Sequence, residues 1–222
     1  MINKELQKRI LSSIILIPIA IFFIFQGTLF FGFFLSILFL ATSYEWVKMN
    51  KLDSFKIIGV CYLFFAFILA YFLREKFSLG LFILVLIICI FTDLGGYIFG
   101  KIFKGPKLIK ISPKKTYAGA IGGFILSLVA ALIYSKYTTT GTLTYLNLSI
   151  WTDMALNKIY LSFVLFVSLI SQIGDLIISY FKRLAKVKDT GNLLPGHGGL
   201  LDRIDGIIFA VPVSYLLFNY LN

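Results

Sequence analysis

Charged residues and glycines are concentrated between residues 179 and 205, a stretch that separates two strongly apolar runs. The stretch reads SYFKRLAKVKDTGNLLPGHGGLLDRID and holds five basic side chains, three aspartates, four glycines and the only histidine of the chain. The whole chain has only ten acidic residues. Charged side chains beside hydrocarbon are costly and usually mark a functional site. We therefore expect this stretch to bind an anion together with a metal ion.

The carboxylates in and before this stretch predict a site for a hard cation. Asp175 lies in an otherwise apolar run, SLISQIGDLIISYF, and Ser179 follows it at i+4 on the same helix face. Asp202 and Asp205, spaced i,i+3, also share a helix face. Each of these two acids alone has a simpler explanation, because acids stabilise the first turn of a helix. Asp175, Ser179 and Asp202 together would form an oxygen-rich site of the kind that Mg²⁺ prefers.

The PGHGG run, residues 195–199, precedes Asp202 and has the composition of an anion-binding loop. Gly198 and Gly199 permit positive φ and a close approach of the backbone to a ligand. Successive N–H groups in such a loop can form a concavity for an anion. His197 has two interpretations, a general base or a residue that hydrogen-bonds a phosphate oxygen.

A second polar stretch, ISPKKTYAGAIGG at residues 111–123, adds basic residues and hydroxyls. Ser112 and Pro113 predict a turn, and Thr116 is a candidate cap for the helix that follows. Lys114 and Lys115 lie next to a glycine-rich helix start and are candidate phosphate ligands. The stretch is not a P-loop, because the pattern GxxxxGK[ST] does not occur.

The elements that position these residues are predicted to be membrane-spanning helices. The chain is 59% hydrophobic, and runs such as residues 14–25 and 79–90 carry no charge. Backbone groups in hydrocarbon must be satisfied within the segment, which favours helices. The alternation typical of a membrane β-barrel is missing from the sequence. We predict an all-α, polytopic transmembrane bundle of about seven spans, within a range of seven to nine, near residues 10–26, 28–47, 57–73, 78–99, 117–135, 159–181 and 204–221.

The distribution of basic residues predicts the orientation of the bundle. With a cytoplasmic N-terminus, all 21 basic residues face the cytoplasm except Arg74, Lys76, Lys136 and Lys158. The positive-inside rule favours this topology, and it leaves no reason to expect a nucleic-acid partner. Two charged loops, residues 101–116 and 182–203, would then converge on one cytoplasmic pocket. Carboxylates, basic side chains and glycine backbone in that pocket predict phosphoryl or nucleotidyl transfer, which needs positioning and charge neutralisation.

The motifs in these two loops resemble those of the phosphatidate cytidylyltransferases (CDP-diacylglycerol synthases). The long C-terminal signature matches residue by residue at Ser179, Lys182, Arg183, Lys188, Asp189, Gly191, Leu194, Pro195, His197, Gly198, Gly199, Asp202, Arg203 and Asp205. The run from Ser112 to Thr116 with Gly119, the run FTDLGGYIFGK with Asp93, and SQIGDLIIS with Asp175 also resemble motifs of that family. The likeness covers roughly the C-terminal 60% of the chain, and it favours a division into N-terminal helices, residues 1–77, and a catalytic domain, residues 78–222.

The resemblance implies a reaction in which CTP and phosphatidic acid give CDP-diacylglycerol and pyrophosphate with Mg²⁺ at the cytoplasmic face of the cell (inner) membrane. Metal ligands carry over to Asp175 and Asp202, with Asp205 and Asp93 as further candidates. The catalytic set implied is Asp175, Asp202, Lys182, Arg183, His197 and Asp205. Substrate binding falls to Ser112, Lys114, Lys115, Thr116, Ser179, Lys188, Asp189, Gly198, Gly199 and Arg203. A phosphate monoester needs no strong base, which favours positioning as the role of His197. A homodimer is compatible with this interpretation.

Two other functions compete with this one. A CTP-dependent polyprenol or phytol kinase would use the same nucleotide but transfer its γ-phosphoryl group. A transporter would place acids near the middle of the membrane and often shows repeated halves, whereas no repeat is detectable here. A CDP-alcohol phosphotransferase is excluded because its DGxxAR motif does not occur.

Overall fold

The computed structural model describes residues 4–109, 112–139, 158–194, 196 and 198–221, without the side chains of residues 4–11, 113, 114, 139 and 221. Within these ranges the chain is almost entirely helical. The α-helices are α1 (Lys4–Phe25), α2 (Thr28–Met49), α3 (Asp53–Phe72), α4 (Leu79–Phe103), α5 (Tyr117–Thr139), α6 (Lys158–Leu184), α7 (Leu201–Ile204) and α8 (Ile207–Leu221). A π-helical turn, Leu73–Phe77, continues α3.

Five of the described helical segments are long and apolar enough to cross a bilayer: Thr28–Met49, Asp53–Phe77, Leu79–Phe103, Tyr117–Thr138 and Lys158–Leu184. Each coincides with a predicted span. Two shorter apolar helices, Ser12–Phe25 and Ile207–Tyr220, occupy the other predicted positions. The prediction of an all-α membrane protein is therefore confirmed. The number of seven spans and the cytoplasmic N-terminus stay predictions.

Large apolar side chains on these helices face outward. Leu29 is 87% exposed, Ile57 64% and Phe103 65%. Soluble monomers rarely expose contiguous apolar patches of more than a few hundred Å². Such side chains on apolar helices are suited to contact with lipid chains.

The structure differs from the predicted elements in two places. First, residues 101–116 are not one loop: α4 extends to Phe103, and strands β1 (Lys107–Ile109) and β2 (Ser112–Thr116) form an antiparallel hairpin. Ser112, predicted to begin a turn, instead begins β2 and pairs with Ile109. Second, α7 and α8 are separate helices joined through Gly206, and Asp205 follows the end of α7. The helix α4 runs unbroken through Gly95 and Gly96.

The chain forms two compact units, Met1–Tyr71 with Phe181–Asp205 and Phe72–Tyr180 with Gly206–Asn222. The predicted functional division into residues 1–77 and 78–222 stays a prediction. In the first unit, aromatic packing holds the end of α2 against the end of α6. The Trp46 ring lies edge-on to Phe181 with centroids 4.9 Å apart, and its indole N–H donates to the carbonyl of Phe55 at 2.8 Å. The end of α2 is thus held by α3 and α6.

In the second unit, glycines allow α4 and α5 to pack backbone to backbone. A Cβ built at Gly95 would lie 2.8 Å from the carbonyl carbon of Gly122 and 2.9 Å from the Cα of Gly123. A Cβ at Gly119 would lie 2.7 Å from the carbonyl oxygen of Gly96. Small residues permit this approach in membrane helices, where van der Waals contact and not water exclusion drives association. The approach brings Asp93 of α4 near the start of α5.

Polar side chains add hydrogen bonds inside the second unit. The hydroxyls of Thr92 and Ser168 lie 2.7 Å apart, and both side chains are buried. The Tyr160 hydroxyl donates to the carbonyl of Ala131 at 2.8 Å. In an apolar bundle these bonds satisfy groups that would otherwise be costly to bury.

We expect Gly95→Ala to destabilise the second unit by about 1–3 kcal/mol, the usual cost of overpacking. Gly96→Ala is the matched control, since its Cβ would meet only the Gly119 carbonyl oxygen, at 3.8 Å. Thermal unfolding in detergent should show a lower Tm for Gly95→Ala than for Gly96→Ala. Equal melting temperatures would contradict the close α4–α5 packing.

Candidate functional site

The loop after α6, residues 185–200, begins with a tight helix end. Lys186 adopts φ 57°, the Val187 N–H donates to the carbonyl of Lys182 at 2.9 Å, and the Lys186 N–H donates to the carbonyl of Arg183 at 3.1 Å. This pair of bonds is the Schellman arrangement, with lysine where glycine is usual. It turns the chain out of α6 immediately after the two basic residues that the sequence identified.

A glycine turn then reverses the loop. The Leu194 N–H donates to the carbonyl of Gly198 at 3.0 Å, and Gly196 and Gly198 have φ 77° and 87°. These are left-handed conformations that glycine adopts without strain. His197 and Pro195 lie outside the described residues, so the predicted role of His197 stays a prediction.

The carboxylate of Asp202 accepts hydrogen bonds from the last turn of α6 and from two separate positions in the loop. Its Oδ1 accepts from Lys182 Nζ at 2.7 Å. Its Oδ2 accepts from the Thr190 N–H at 2.8 Å, the Thr190 hydroxyl at 3.1 Å and the Gly199 N–H at 3.2 Å. The side chains of Lys182 and Asp202 are only 14% and 11% exposed. Three donor groups therefore lie at hydrogen-bond distance from Oδ2, whereas Oδ1 accepts from Lys182 alone among these bonds.

A second carboxylate of the same unit, Glu45 of α2, was missed at the level of sequence. Glu45 is 1% exposed and accepts from the Leu200 N–H and the Leu201 N–H, each at 2.9 Å, and from the Thr190 hydroxyl at 3.1 Å. The signal was present in the sequence, because Glu45 is an acid in an apolar helix, the same feature that identified Asp175.

These bonds change the interpretation of the glycine-rich run. In the structure the N–H of Gly199 and those of residues flanking the run bind two carboxylates of the protein, and the predicted binding of a substrate anion by the run stays a prediction. The N–H groups of Thr190 and Gly199 are used by Asp202, and those of Leu200 and Leu201 by Glu45. The proposed contacts of Gly198 and Gly199 with substrate stay predictions.

The other predicted site residues of this unit differ in their exposure to solvent. Asp205 is buried at 8% exposure, directly after α7. Four are exposed: Arg183, Lys188, Asp189 and Arg203.

In the second unit a cavity of about 200 Å³ brings together residues from three predicted motifs. Asp93, Lys115, Thr116 and Asp175 line it. Lys115 and Asp175 form an ion pair with both side chains about one quarter exposed. Two carboxylates and one ammonium around one cavity leave a net negative charge there, which suits a cation that arrives with a phosphate.

Neighbouring residues fix this cavity. The Thr116 hydroxyl accepts from the Gly119 N–H at 3.1 Å, which confirms its predicted role as the cap of α5. The Ser179 hydroxyl donates to Asp175 at 3.5 Å, a long bond. Gln172, which the sequence did not single out, lines the cavity and donates to the carbonyl of Ala120 at 3.4 Å. The Lys114 side chain lies outside the described side chains. That the loops 101–116 and 182–203 share one pocket stays a prediction.

The oxygen atoms that line the cavity are better suited to bind magnesium than the carboxylate of Asp202 is. Asp93 and Asp175 offer carboxylate oxygens and Thr92 and Gln172 offer neutral ones around one cavity, which are the hard ligands that Mg²⁺ takes, alongside water and substrate phosphates. Among the described residues, no three His, Cys, Asp or Glu side chains group closely enough to hold a metal by themselves. Asp202, by contrast, is already bonded to Lys182 and to backbone N–H groups.

Apolar helices around a carboxylate-lined cavity define a membrane protein with a polar site among its helices. Comparison with known proteins is more specific. Residues 53–221 match the cytidylyltransferase family, and this chain belongs to that family.

Individual relatives agree with this assignment. The chain is 34% identical over 220 residues to a phosphatidate cytidylyltransferase of Rickettsia felis, covering 97% of this chain and 93% of that protein. It is 36% identical over 224 residues to the protein of that name from Rickettsia typhi, covering 99% and 94%. It is 35% identical over 184 residues to the one from Staphylococcus aureus strain COL, covering 81% of this chain and 65% of that protein. The match therefore spans just under two thirds of the Staphylococcus protein.

The Lys182–Asp202 bond yields a prediction for the loop. Lys182→Met should weaken the hold on Asp202 by roughly 1.5–3 kcal/mol, the usual value of a hydrogen bond to a charged group. Hydrogen exchange of the amides of Thr190 and Gly199 should accelerate. Lys186→Met, the same change at an exposed position four residues later, should leave exchange there unaltered. If both variants exchange at the same rate, Lys182 does not hold the loop.

Proposed function

We propose that this chain transfers a cytidylyl group from CTP to phosphatidic acid, giving CDP-diacylglycerol and pyrophosphate. The observation that carries the proposal is the match to proteins named phosphatidate cytidylyltransferase over nearly the whole chain, 97% for Rickettsia felis and 99% for Rickettsia typhi. The carboxylate–lysine cavity and the exposed basic residues of the loop support it with chemistry suited to phosphate groups.

In this reaction an oxygen of the lipid phosphate attacks the α-phosphorus of CTP. A new P–O bond forms there, the bond to the β-phosphate bridging oxygen breaks, and pyrophosphate leaves with that electron pair. The attacking phosphate is already anionic, so no protein base has to remove a proton. What the protein must supply is position and positive charge around the phosphates.

The residues of this chain can supply both. Lys115 places an ammonium at the cavity, next to Asp175, and is the side chain that would contact a phosphate there. Arg183, Lys188 and Arg203 are exposed and would neutralise soluble phosphates. Lys182 is engaged with Asp202, so its role would be to orient that carboxylate.

Magnesium is part of the proposal. Asp93 and Asp175 would hold it, and when bound it would neutralise phosphate charge and polarise the phosphorus under attack. Asp202 and Asp205 remain candidate ligands from the family resemblance.

The proposal places the protein in the bilayer of the cell membrane, the inner membrane where the cell has two, with its site at the cytoplasmic face. The five long apolar helices support membrane insertion, and the distribution of basic residues supports the orientation. A homodimer is compatible with it.

The direct test is an assay with CTP labelled separately in the cytidine and in the γ-phosphate. With phosphatidic acid and Mg²⁺, cytidine label should enter the lipid fraction and γ-label should leave in pyrophosphate. A lipid kinase would give the reverse distribution and overturn the proposal. Inverted membrane vesicles should be active without detergent and right-side-out vesicles inactive, because CTP does not cross the membrane.

Asp175→Asn should lower kcat about 100-fold or more, since it removes a charge that faces the reacting phosphates and keeps the shape of the side chain. Ser179→Ala, which loses only the 3.5 Å contact to Asp175, should lower it less than tenfold. Both rates are measured across a Mg²⁺ titration, and Asp175→Asn should need more Mg²⁺ for half-maximal rate. Near-normal turnover of Asp175→Asn would remove it from the site.

A further inference from the structure

We propose that Glu45 is a positioning residue. Its buried carboxylate fixes the segment of residues 190–201, which comprises most of the loop and the first residue of α7, and through Thr190 it fixes the orientation of Asp202. The proposal deepens the function proposed above and rests on it for the kinetic part of its test. Glu45 lies in α2, outside every motif by which the sequence resembled the family.

The first support is the burial of Glu45. At 1% exposure its carboxylate has lost its water, a loss that is tolerable only if hydrogen-bond donors replace it. Its hydrogen-bond donors are the N–H groups of Leu200 and Leu201, at 2.9 Å each, and the Thr190 hydroxyl at 3.1 Å. All three donors lie in the segment of residues 190–201, one at its beginning and two at its end, so one carboxylate holds both ends of that segment.

The second support is the sharing of Thr190 between two carboxylates. Its hydroxyl lies 3.1 Å from Glu45 Oε2 and 3.1 Å from Asp202 Oδ2. A hydroxyl has one proton to donate, so its orientation responds to both acids. Thr190 is 4% exposed and also donates its N–H to Asp202 at 2.8 Å. A change at Glu45 therefore reaches Asp202 through a single buried residue.

The third support is the fit of two glycines around the carboxylate. A Cβ at Gly191 would lie 2.7 Å from Glu45 Oε1 and 2.9 Å from its Cδ and Cγ. A Cβ at Gly199 would lie 2.8 Å from Glu45 Oε2. The loop thus has glycine at two positions where any larger residue would collide with the Glu45 side chain.

The α2 end that carries Glu45 is itself rigid. The neighbouring residue, Trp46, is 6% exposed and is held by Phe181 and by the carbonyl of Phe55. A carboxylate on a helix that is held in place can therefore fix the position of the loop residues that bond to it.

Glu45→Gln is the first test. An amide offers one acceptor oxygen and an NH₂ group, so one of the Leu200 and Leu201 N–H groups would face a donor. We expect kcat/KM for CTP to fall roughly 10–100-fold, the range for a partner of a site residue, with a clear rise in KM. Hydrogen exchange at residues 190–201 should accelerate while exchange in α4 and α5 stays constant.

The KM readout separates positioning from a purely structural role. A variant that only lowered the amount of folded protein would lower the apparent kcat at unchanged KM. Glu75→Gln is the matched control, the same substitution in the π-helical turn, and should leave both constants unaltered. Unchanged KM and unchanged exchange in Glu45→Gln would overturn the proposal.

A double-mutant cycle provides a test independent of the reaction. Gly191→Ala alone should accelerate loop exchange, because the three atoms nearest to its new methyl group all belong to Glu45. In a Glu45→Ala background the same change should have little further effect, which is the non-additivity expected of residues in contact. Additive effects would contradict the contact. If the parent protein fails to convert CTP and phosphatidic acid, the proposed function fails, yet the exchange cycle still decides whether Glu45 positions the loop.

Discussion

Buried carboxylates must find donors within an apolar protein, and this requirement organises the polar parts of both units. Removing an ionised carboxylate from water is too costly unless hydrogen bonds or opposite charge replace the lost hydration. In the first unit Glu45 and Asp202 meet the requirement with backbone N–H groups, Thr190 and Lys182. In the second unit the partly exposed Asp175 pairs with Lys115. The loops take the shapes that deliver those donors.

The same requirement explains the composition of the glycine-rich loop. The loop that carries these N–H groups has glycine at Gly191 and Gly199, where a Cβ would meet Glu45, and at Gly196 and Gly198, which adopt positive φ. The loop is therefore built around anions before any substrate arrives. The basic side chains of Lys186 and Lys188 in this loop are exposed, and the proposed function assigns Lys188 to the phosphates of a soluble substrate.

Close helix packing has the corresponding role in the second unit. Because α4 and α5 approach through Gly95, Gly119 and Gly122, an acid on one helix and a lysine and threonine before the other line the same cavity. Side chains larger than glycine at these positions would separate the helices and widen that cavity. Family membership and this geometry agree, since cytidylyl transfer requires charge and position in a confined space more than it requires a reactive side chain.

The sequence by itself determined the class of the protein and the positions of the apolar helices, and it predicted which residues are most suited to phosphate chemistry. These follow from local properties: runs of apolar residues long enough for a bilayer, acids where no acid is expected, and motifs of fixed spacing. Five long apolar helices and the Thr116 cap were predictable for this reason. The hairpin of β1 and β2 was not, because three- and five-residue strands carry too little periodicity to distinguish them from a loop.

The tertiary structure alone decided which groups satisfy which carboxylates. Glu45 and Leu200 are 155 residues apart in the chain, and no local pattern relates them. Nor could spacing reveal that Asp202 is surrounded by four donors, or that Asp93 and Asp175 line one cavity with Lys115. Hydropathy and residue spacing describe the properties of one segment at a time. The loss of water around a buried charge, however, is caused by other segments that pack against it. That packing therefore determines which groups become the partners of each buried charge.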